Sequence, residues 1–598
     1  MALGSLLPEL SEGASRTPLI ELATRWAREK PDAPAFTYVD YSADPKGVKT
    51  TATWREMYDR ARAMAVRLRQ TAEPGDRAAL LLPQTLEYMT AMFGCMYSKV
   101  IAVPLFSPDA PGYADRLVRA YSDAAPAVIV TTEAALAHVE KFLADHDVPR
   151  PREIVCAELV DGALAGGWTH EPIGIDDVAY LQYTSGSTRA PAGVEITHGN
   201  IEANTRQLWA EWPTDETDPV LVSWLPLFHD MGLIATMALP MTRGNHTIYT
   251  APQSFLMRPL RWLQLISDYR HTAVYTAGPN FAYEYVAEHA SPEKIADLDL
   301  SGLVTCLNGA EPIRPATLGI FQETFGPAGL RPDAQGPAYG LAEATVFVSA
   351  AADPTPPRVL TVDRETLSQG RITLCEPDAE RSTALVGCGR PSGQIVAIVD
   401  PETGVEHQDG VVGEIWIHGP NVARGYWHNS ERSQETFGAR LRDTAPGLPE
   451  WPWLRTGDFG VAYEGELYVT GRIKDLIIVD GRNHYPQDIE ITAQEAHPAI
   501  RPDFVAAFAV PGEETERLVV VAERNRRVPL ARLDPAEIEA AVRAAITHEH
   551  EMRVEEFVLV EPGAIARTSS GKIARAATRE RHLAAELPTT EARLAARS

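Results

Sequence analysis

The sequence predicts an α/β protein: a large unit built on wound, mainly parallel sheets, followed by a small α+β unit. Three observations carry that expectation. Short apolar runs alternate with helical patterns over the first 150 residues, and again after residue 500. The runs are apolar throughout, as in strands buried on both faces. The chain has 598 residues, too many for one hydrophobic core.

Taken in order, Thr53-Trp-Arg-Glu56 reads as a capping box, with Met57, Ala61, Met64, Ala65 and Leu68 at helical spacing behind it. Arg77–Leu82 follows a Pro-Gly-Asp turn and reads as a buried strand. Helical pattern over 86–99, 115–123 and 133–145 then alternates with strand pattern over 101–106 and 127–131. Val178–Leu181, Leu221–Pro226, Thr272–Asn280 and Leu303–Asn308 continue the strands. In the last quarter, 504–510, 518–523 and 554–560 read as strands and 535–548 as a helix. The Ala/Glu/Arg-rich tail from Glu586 is expected to fray.

The formal net charge of −26 argues against nucleic acid or an anionic membrane as partner. No apolar run reaches the length of a membrane span, and no integral membrane segment is expected. Met1–Pro8 lacks the basic start of a signal peptide. Five scattered cysteines without a C-x-x-C pair fit reduced thiols and a cytoplasmic location.

Chemistry-bearing segments follow. Thr184, Ser185, Gly186, Ser187, Thr188 and Arg189 lie between a strand and an expected helix start at His198, a composition suited to cradling phosphate. His229 has an acidic neighbour, Asp230, just past a strand end. Ala277, Gly278, Asn280 and Phe281 lie at another strand-to-loop junction. Gly309-Ala-Glu311 follows a strand, and Tyr339-Gly-Leu-Ala-Glu343 comes after a Pro/Gly-rich link. Glu343 is a hard oxygen donor of the kind a divalent ion on phosphate needs. Thr456-Gly-Asp458, Gly471-Arg-Ile-Lys-Asp475 and Ser570-Gly-Lys572 complete the set.

In this order the motifs resemble the adenylate-forming superfamily, which includes acyl-CoA synthetases, luciferases and the adenylation domains of peptide synthetases. The resemblance runs from about residue 15 to about 580. It implies that residues 184–189 hold ATP phosphates, Gly309, Ala310 and Glu311 flank adenine, and Tyr339 stacks on it, with Gly340 and Ala342 in the same motif. It further implies that Glu343 holds Mg²⁺, Asp458 the ribose hydroxyls and Arg472 ribose or phosphate. His229 would shape the pocket between carboxylate and ATP. Ala277, Gly278, Asn280 and Phe281 would line the acyl pocket. Lys474 would be the hinge between units 1–470 and 471–598, and Lys572 the catalytic lysine delivered by closure of the small unit.

Three positions depart from the family pattern: Ala192 stands where many members have Lys, Arg189 where they have Gly, and Ala342 where Thr is usual, with Arg189 the nearest candidate for the missing cationic contact to the leaving phosphates. A long insertion at about 350–385 resembles that of fatty acyl-AMP ligases. That subgroup implies activation of a fatty acid by ATP and transfer of the acyl group to the phosphopantetheine of an acyl carrier protein. An acyl-CoA synthetase, an amino-acid adenylation domain and a non-catalytic nucleotide-binding relic remain open at this point.

Overall fold

The computed structural model describes residues 3–4, 16–109, 114–183, 192–212, 218–351, 356–443, 448–479, 482–512, 516–567 and 572–595. Two wound sheets dominate the first two-thirds of the chain. In the first, the strands Glu153–Cys156, Val128–Thr131, Arg77–Leu80, Ile101–Pro104, Val178–Tyr183 and Gly193–Thr197 lie in that spatial order. All neighbours are parallel except the last pair. Ala78, Ala79 and Leu80 are buried, as an all-apolar strand inside a parallel sheet must be.

The second sheet has nine strands. Gln335–Gly340, Leu303–Gly309, Val274–Pro279, Val220–Ser223, His246–Thr250 and Pro34–Asp40 form its parallel centre. Antiparallel strands close both edges. A four-stranded antiparallel sheet, Ile395–Val399 to Glu466–Arg472, follows.

From Ile477 the chain builds a separate core. The strands Ile500–Pro511, Glu516–Arg524 and Val554–Val560 form a three-stranded sheet. Against it pack the helices Pro486–Glu495 and Pro535–His550, through Ile489, Ala493, Ile538, Val542 and Ile546.

The helix Trp54–Arg69 starts where expected: Thr53 accepts from the Glu56 N–H and the Glu56 carboxylate accepts from the Thr53 N–H. The helix His198–Glu211 also starts where expected, capped by Thr197. Before it, Gly193–Thr197 forms a wholly buried strand antiparallel to Val178–Tyr183. Alternating Val194 and Ile196 stabilise that strand by burial on the sheet. One expectation is corrected: the tail does not fray along its whole length. Thr589 bridges to Val560, Thr590 is buried, and Thr590–Ala595 is helical, with Arg593 paired to Glu561.

The insertion folds as a hairpin, Val359–Asp363 with Ser382–Val386, and a short helix, Arg364–Ser368. Leu360, Val362 and Leu367 bury against Val461, Tyr468 and Tyr485. Val359 instead remains exposed.

The strand Phe347–Ala350 is held from behind by a side chain that imitates a strand. Asn204, wholly buried, accepts the Phe347 N–H at 3.0 Å and donates to the Phe347 carbonyl at 2.8 Å. Its removal takes the side-chain acceptor from the buried Phe347 N–H, while the Phe347 carbonyl retains donors in Gln394 and Asn421. Asn204→Ala is therefore expected to destabilise the protein by about 1–3 kcal/mol. A denaturant midpoint equal to that of the parent chain contradicts this.

Candidate functional site

The carboxyl ends of the central strands of the second sheet open into a cavity of about 700 Å³. Ligands in wound sheets bind at such ends. Tyr339 and Gly340 enter the cavity from the end of Gln335–Gly340, and Gly309 and Ala310 from the end of Leu303–Gly309. Ala310 adopts a left-handed backbone, φ +65°, to make its turn. At Gly340 a Cβ would meet the Val346 carbonyl oxygen at 1.7 Å, so only glycine allows the next turn to fold back. That turn, Ala342–Ala344, presents Glu343 to the cavity, where the Tyr426 hydroxyl donates to its carboxylate at 2.9 Å.

Asp458 and Arg472 come from the adjacent strands Leu454–Tyr463 and Glu466–Arg472, on which they are direct partners. The Tyr339 hydroxyl donates to Asp458 Oδ2 at 2.7 Å, and Arg472 Nε lies 3.4 Å from Asp458 Oδ1. The Asp458 carboxylate raises the pKa of Arg472, while burial and the same carboxylate hold Tyr339 far above the usual phenol range. The short helical turn Ile473–Asp475 carries Lys474 into the cavity wall, and burial lowers its pKa.

His229 stands at the opposite wall, with Nδ1 2.6 Å from Asp230 Oδ1. Burial alone would raise the Asp230 carboxyl. His229, the Met231 N–H and Lys572 together hold it below the usual carboxylate range.

Lys572 reaches the same cavity from the C-terminal segment. Burial pushes its pKa down to about 8, with Arg472 adding to the effect and Glu311, Asp230 and Asp458 opposing it. Arg575 secures this segment through Glu490 at 2.7 Å and Asp475 at 3.2 Å. The ammonium of Lys572 thus faces the carboxylates of the larger part of the chain across a junction between two cores.

The other end of the cavity is apolar. Leu208 and Trp212 come from the helix His198–Glu211 and its cap. Ile234, Ala235 and Leu239 come from a stretch in which Ile234–Ala238 is a π-helix. Phe347 and Ala277 complete the wall. One polar end and one apolar end in a single cavity suit an amphiphile joined to a nucleotide.

Several sequence expectations meet this geometry differently. Tyr339, Gly340, Ala342, Glu343, Asp458, Arg472, Lys474, His229, Lys572, Gly309, Ala310 and Ala277 line the cavity. Thr184, Ser185, Gly186, Ser187, Thr188 and Arg189 lie outside the described residues. Glu311 is not in the wall: its carboxylate accepts the Phe281 N–H at 2.6 Å, and burial raises its pKa to about 7. Gly278 faces away from Ala277, toward Trp262 and Tyr283, because neighbours on a strand point to opposite faces. The Asn280 side chain is buried in bonds with Thr317 and Asn308, and Phe281 packs edge-on to Trp224. These three positions lie behind the cavity wall.

Sequence reasoning missed Leu208, Trp212, Ile234, Leu239 and Tyr426. The run Leu233–Leu239 carried only the signal of a buried helix, and its π turn has no apolar period of its own.

The lowered Lys572 pKa is directly measurable. Below pH 8 the amine is mostly protonated and unreactive; above it the neutral form prevails. Acylation of Lys572 by an amine-specific reagent, followed by peptide mass spectrometry, is expected to inflect near pH 8 in the ligand-free protein. An inflection above pH 10, as for an exposed lysine, contradicts the buried placement.

Comparison with known proteins agrees with this geometry. Residues 23–427 match the family of AMP-binding enzymes, and 474–592 match the AMP domain of Disco-interacting protein 2-like proteins. The chain is 43% identical over 566 residues to the long-chain-fatty-acid–AMP ligase FadD26 of Mycobacterium marinum, covering 93% of this chain and 95% of that one. It is 41% identical over 613 residues to the long-chain-fatty-acid–AMP ligase FadD32 of Mycolicibacterium smegmatis, covering 96% of each. Among solved structures, it superposes on a fatty acyl-adenylate ligase of L. pneumophila, in complex with acyl adenylate and pyrophosphate, with a TM-score of 0.72. That match has 32% identity and covers 98% of this chain and 99% of the other. The chain belongs to the family of AMP-binding enzymes.

Proposed function

We propose that the protein activates a fatty acid with ATP, forming an acyl-adenylate and releasing pyrophosphate, and then passes the acyl group to the phosphopantetheine thiol of an acyl carrier protein. The observation that carries this reading is the joining of an apolar lobe to Tyr339, Asp458, Arg472 and Lys572 in one cavity. The names of the relatives support the same chemistry.

In this reading the acyl chain lies between Leu208, Trp212, Ile234 and Leu239, and its carboxylate points toward His229 and Lys572. Adenine packs at Tyr339 and the Gly309–Ala310 turn. Asp458 accepts the ribose hydroxyls, and Arg472, 3.4 Å from its Oδ1, orients it for that task. The Ser/Thr-rich segment 184–189 takes the terminal phosphates. A carboxylate oxygen attacks the α-phosphorus, and Lys572 neutralises the charge that develops there. Placement and charge compensation carry the rate, with little proton chemistry.

Mg²⁺ fits one position. No group of three His, Cys, Asp or Glu side chains suited to a metal occurs among the described residues. A single carboxylate with substrate phosphates is nevertheless a common way to hold this ion. Glu343, oriented by Tyr426, would hold it, and the ion would supply charge neutralisation on the phosphates.

Two units moving about Lys474 complete the reading. Residues 1–470 form the adenylating unit and 471–598 the mobile one. The insertion contacts the second unit through ion pairs. Arg364 donates to the Glu549 carbonyl at 2.8 Å and lies 3.3 Å from the Glu549 carboxylate, and Arg381 bridges Glu365 and Glu551. These bonds favour the closed arrangement, in which Lys572 reaches the cavity. Among the described residues, no helix is long and apolar enough to cross a membrane, which accords with an enzyme meeting its carrier in the cytoplasm.

The decisive experiment is mass spectrometry of products from ATP, Mg²⁺ and a panel of fatty acids. Acyl-AMP is expected from the parent protein. Lys572→Ala is expected to abolish its formation while leaving transfer from pre-made acyl-AMP to a carrier largely intact. Equal loss in both half-reactions contradicts the closing role of Lys572.

Coenzyme A is expected to be a poor acceptor. Exposed ion pairs contribute roughly 0.2–1 kcal/mol each, so removing the Arg364 and Arg381 contacts together shifts the closed–open balance by about tenfold. Arg364→Ala/Arg381→Ala is expected to raise acyl-CoA formation by up to that factor. No change in the double variant removes the insertion from the restraint.

A further inference from the structure

We propose that Arg432 is the cation that holds the β- and γ-phosphates of ATP and then the departing pyrophosphate. The inference rests on the adenylation reading and identifies a residue which that reading leaves unassigned. Ala192 lines the cavity and brings no charge, and Arg189 lies outside the described residues, so among the described residues a cation for the terminal phosphates comes from another wall.

Arg432 lies in the helix Ser430–Phe437, and its guanidinium sits 4.2 Å above the ring of Tyr426. The hydroxyl of that ring donates to Glu343. Arg432, Tyr426 and Glu343 therefore form one column, and all three line the cavity. Its base is anchored. The Arg432 N–H donates to Asn429 Oδ1 at 3.1 Å, and Ser433 Oγ accepts the Tyr426 N–H at 2.8 Å.

No ion pair claims the Arg432 guanidinium among the described residues, whereas Arg424, on the same segment, is paired to Glu195 at 2.6 Å. A planar cation fixed on an aromatic face, with its donors toward the cavity, suits bidentate contact with phosphate oxygens. Arg116 and Arg119, from the helix Ala114–Ala124, also line the cavity, against the carboxylates of Glu343 and Glu435. The charge around this group is thus positive by one before Lys572 is counted.

The step balances without a further reactant. A bond forms from the fatty carboxylate oxygen to the α-phosphorus as the bond from the α-phosphorus to the bridging oxygen breaks. The electron pair leaves with that oxygen on pyrophosphate, and no proton is gained or lost. Arg432 compensates the charge arriving on the leaving group.

The test compares ATP, AMP and pyrophosphate binding by calorimetry in the full-length parent protein, Arg432→Ala and Arg432→Lys, with acyl-AMP followed by mass spectrometry. Loss of a charge-assisted contact is expected to weaken ATP and pyrophosphate about 10–100-fold in Arg432→Ala. AMP, which lacks those phosphates, is expected to stay within about twofold, and lysine to restore part of the loss. Equal weakening of ATP and AMP assigns Arg432 to holding the helix in place and overturns the proposal, as does unchanged binding of all three. A parent protein that binds ATP but yields no acyl-AMP with any fatty acid overturns the adenylation reading instead. In that outcome the comparison of ATP with AMP still decides Arg432.

Discussion

Burying one ammonium group is the constraint on which the rest of this structure depends. Lys572, half-buried at the cavity wall, loses part of its hydration shell, and desolvation of that kind is tolerated only where opposite charge is near. Asp230, Asp458 and Glu311 supply that charge from three separate places in the larger part of the chain. Each of the three is itself fixed by a second interaction: Asp230 by His229, Asp458 by Tyr339, and Glu311 by the Phe281 N–H. The lysine and its counter-charges come from opposite sides of the junction between two cores. The electrostatics of the site therefore exist in full only when those cores are together.

Contacts around the junction are of the same polar kind. Arg314 pairs with Asp503 at 2.8 Å across it. The insertion adds its arginines on another flank. Ion pairs that keep partial access to water release at little cost, whereas an apolar seam of equal area resists opening. The apolar side chains of the insertion, Leu360, Val362 and Leu367, bury against Val461, Tyr468 and Tyr485. Its charged groups meet the C-terminal helix end at Glu549 and Glu551. The insertion thus meets the C-terminal part through both kinds of contact, apolar at Tyr485 and charged at Glu549 and Glu551.

Much of the fold was legible because it is encoded locally. The Thr53 capping box, the apolar run at Arg77–Leu80 and the helix Glu133–Asp145 each depend on neighbours in sequence. Motif order was enough to name Tyr339, Glu343, Asp458, Arg472 and Lys572 as neighbours in space. Of the residues expected at the apolar end, Ala277 lines the cavity, while strand alternation and the helix Asn280–Glu288 turn Gly278, Asn280 and Phe281 away from it. The remaining apolar lining comes from His198–Glu211 and the π stretch, whose residues look like any buried helix. Tyr426 and Arg432 depend on a stacking contact formed by the tertiary fold, and no spacing in the sequence reports it.

The π-helical stretch Ile234–Ala238 has a consequence for how such a pocket changes over evolutionary time. A π turn holds one residue more than an α turn, and each helical residue advances the side-chain direction by about 100°. Ile234, Ala235 and Leu239 line the cavity, while Met237 and Ala238 are wholly buried in the core. The extra residue sets the relative phase of these two faces. Deleting or adding one residue here is therefore expected to turn the cavity-facing set relative to the core-facing set by about 100°.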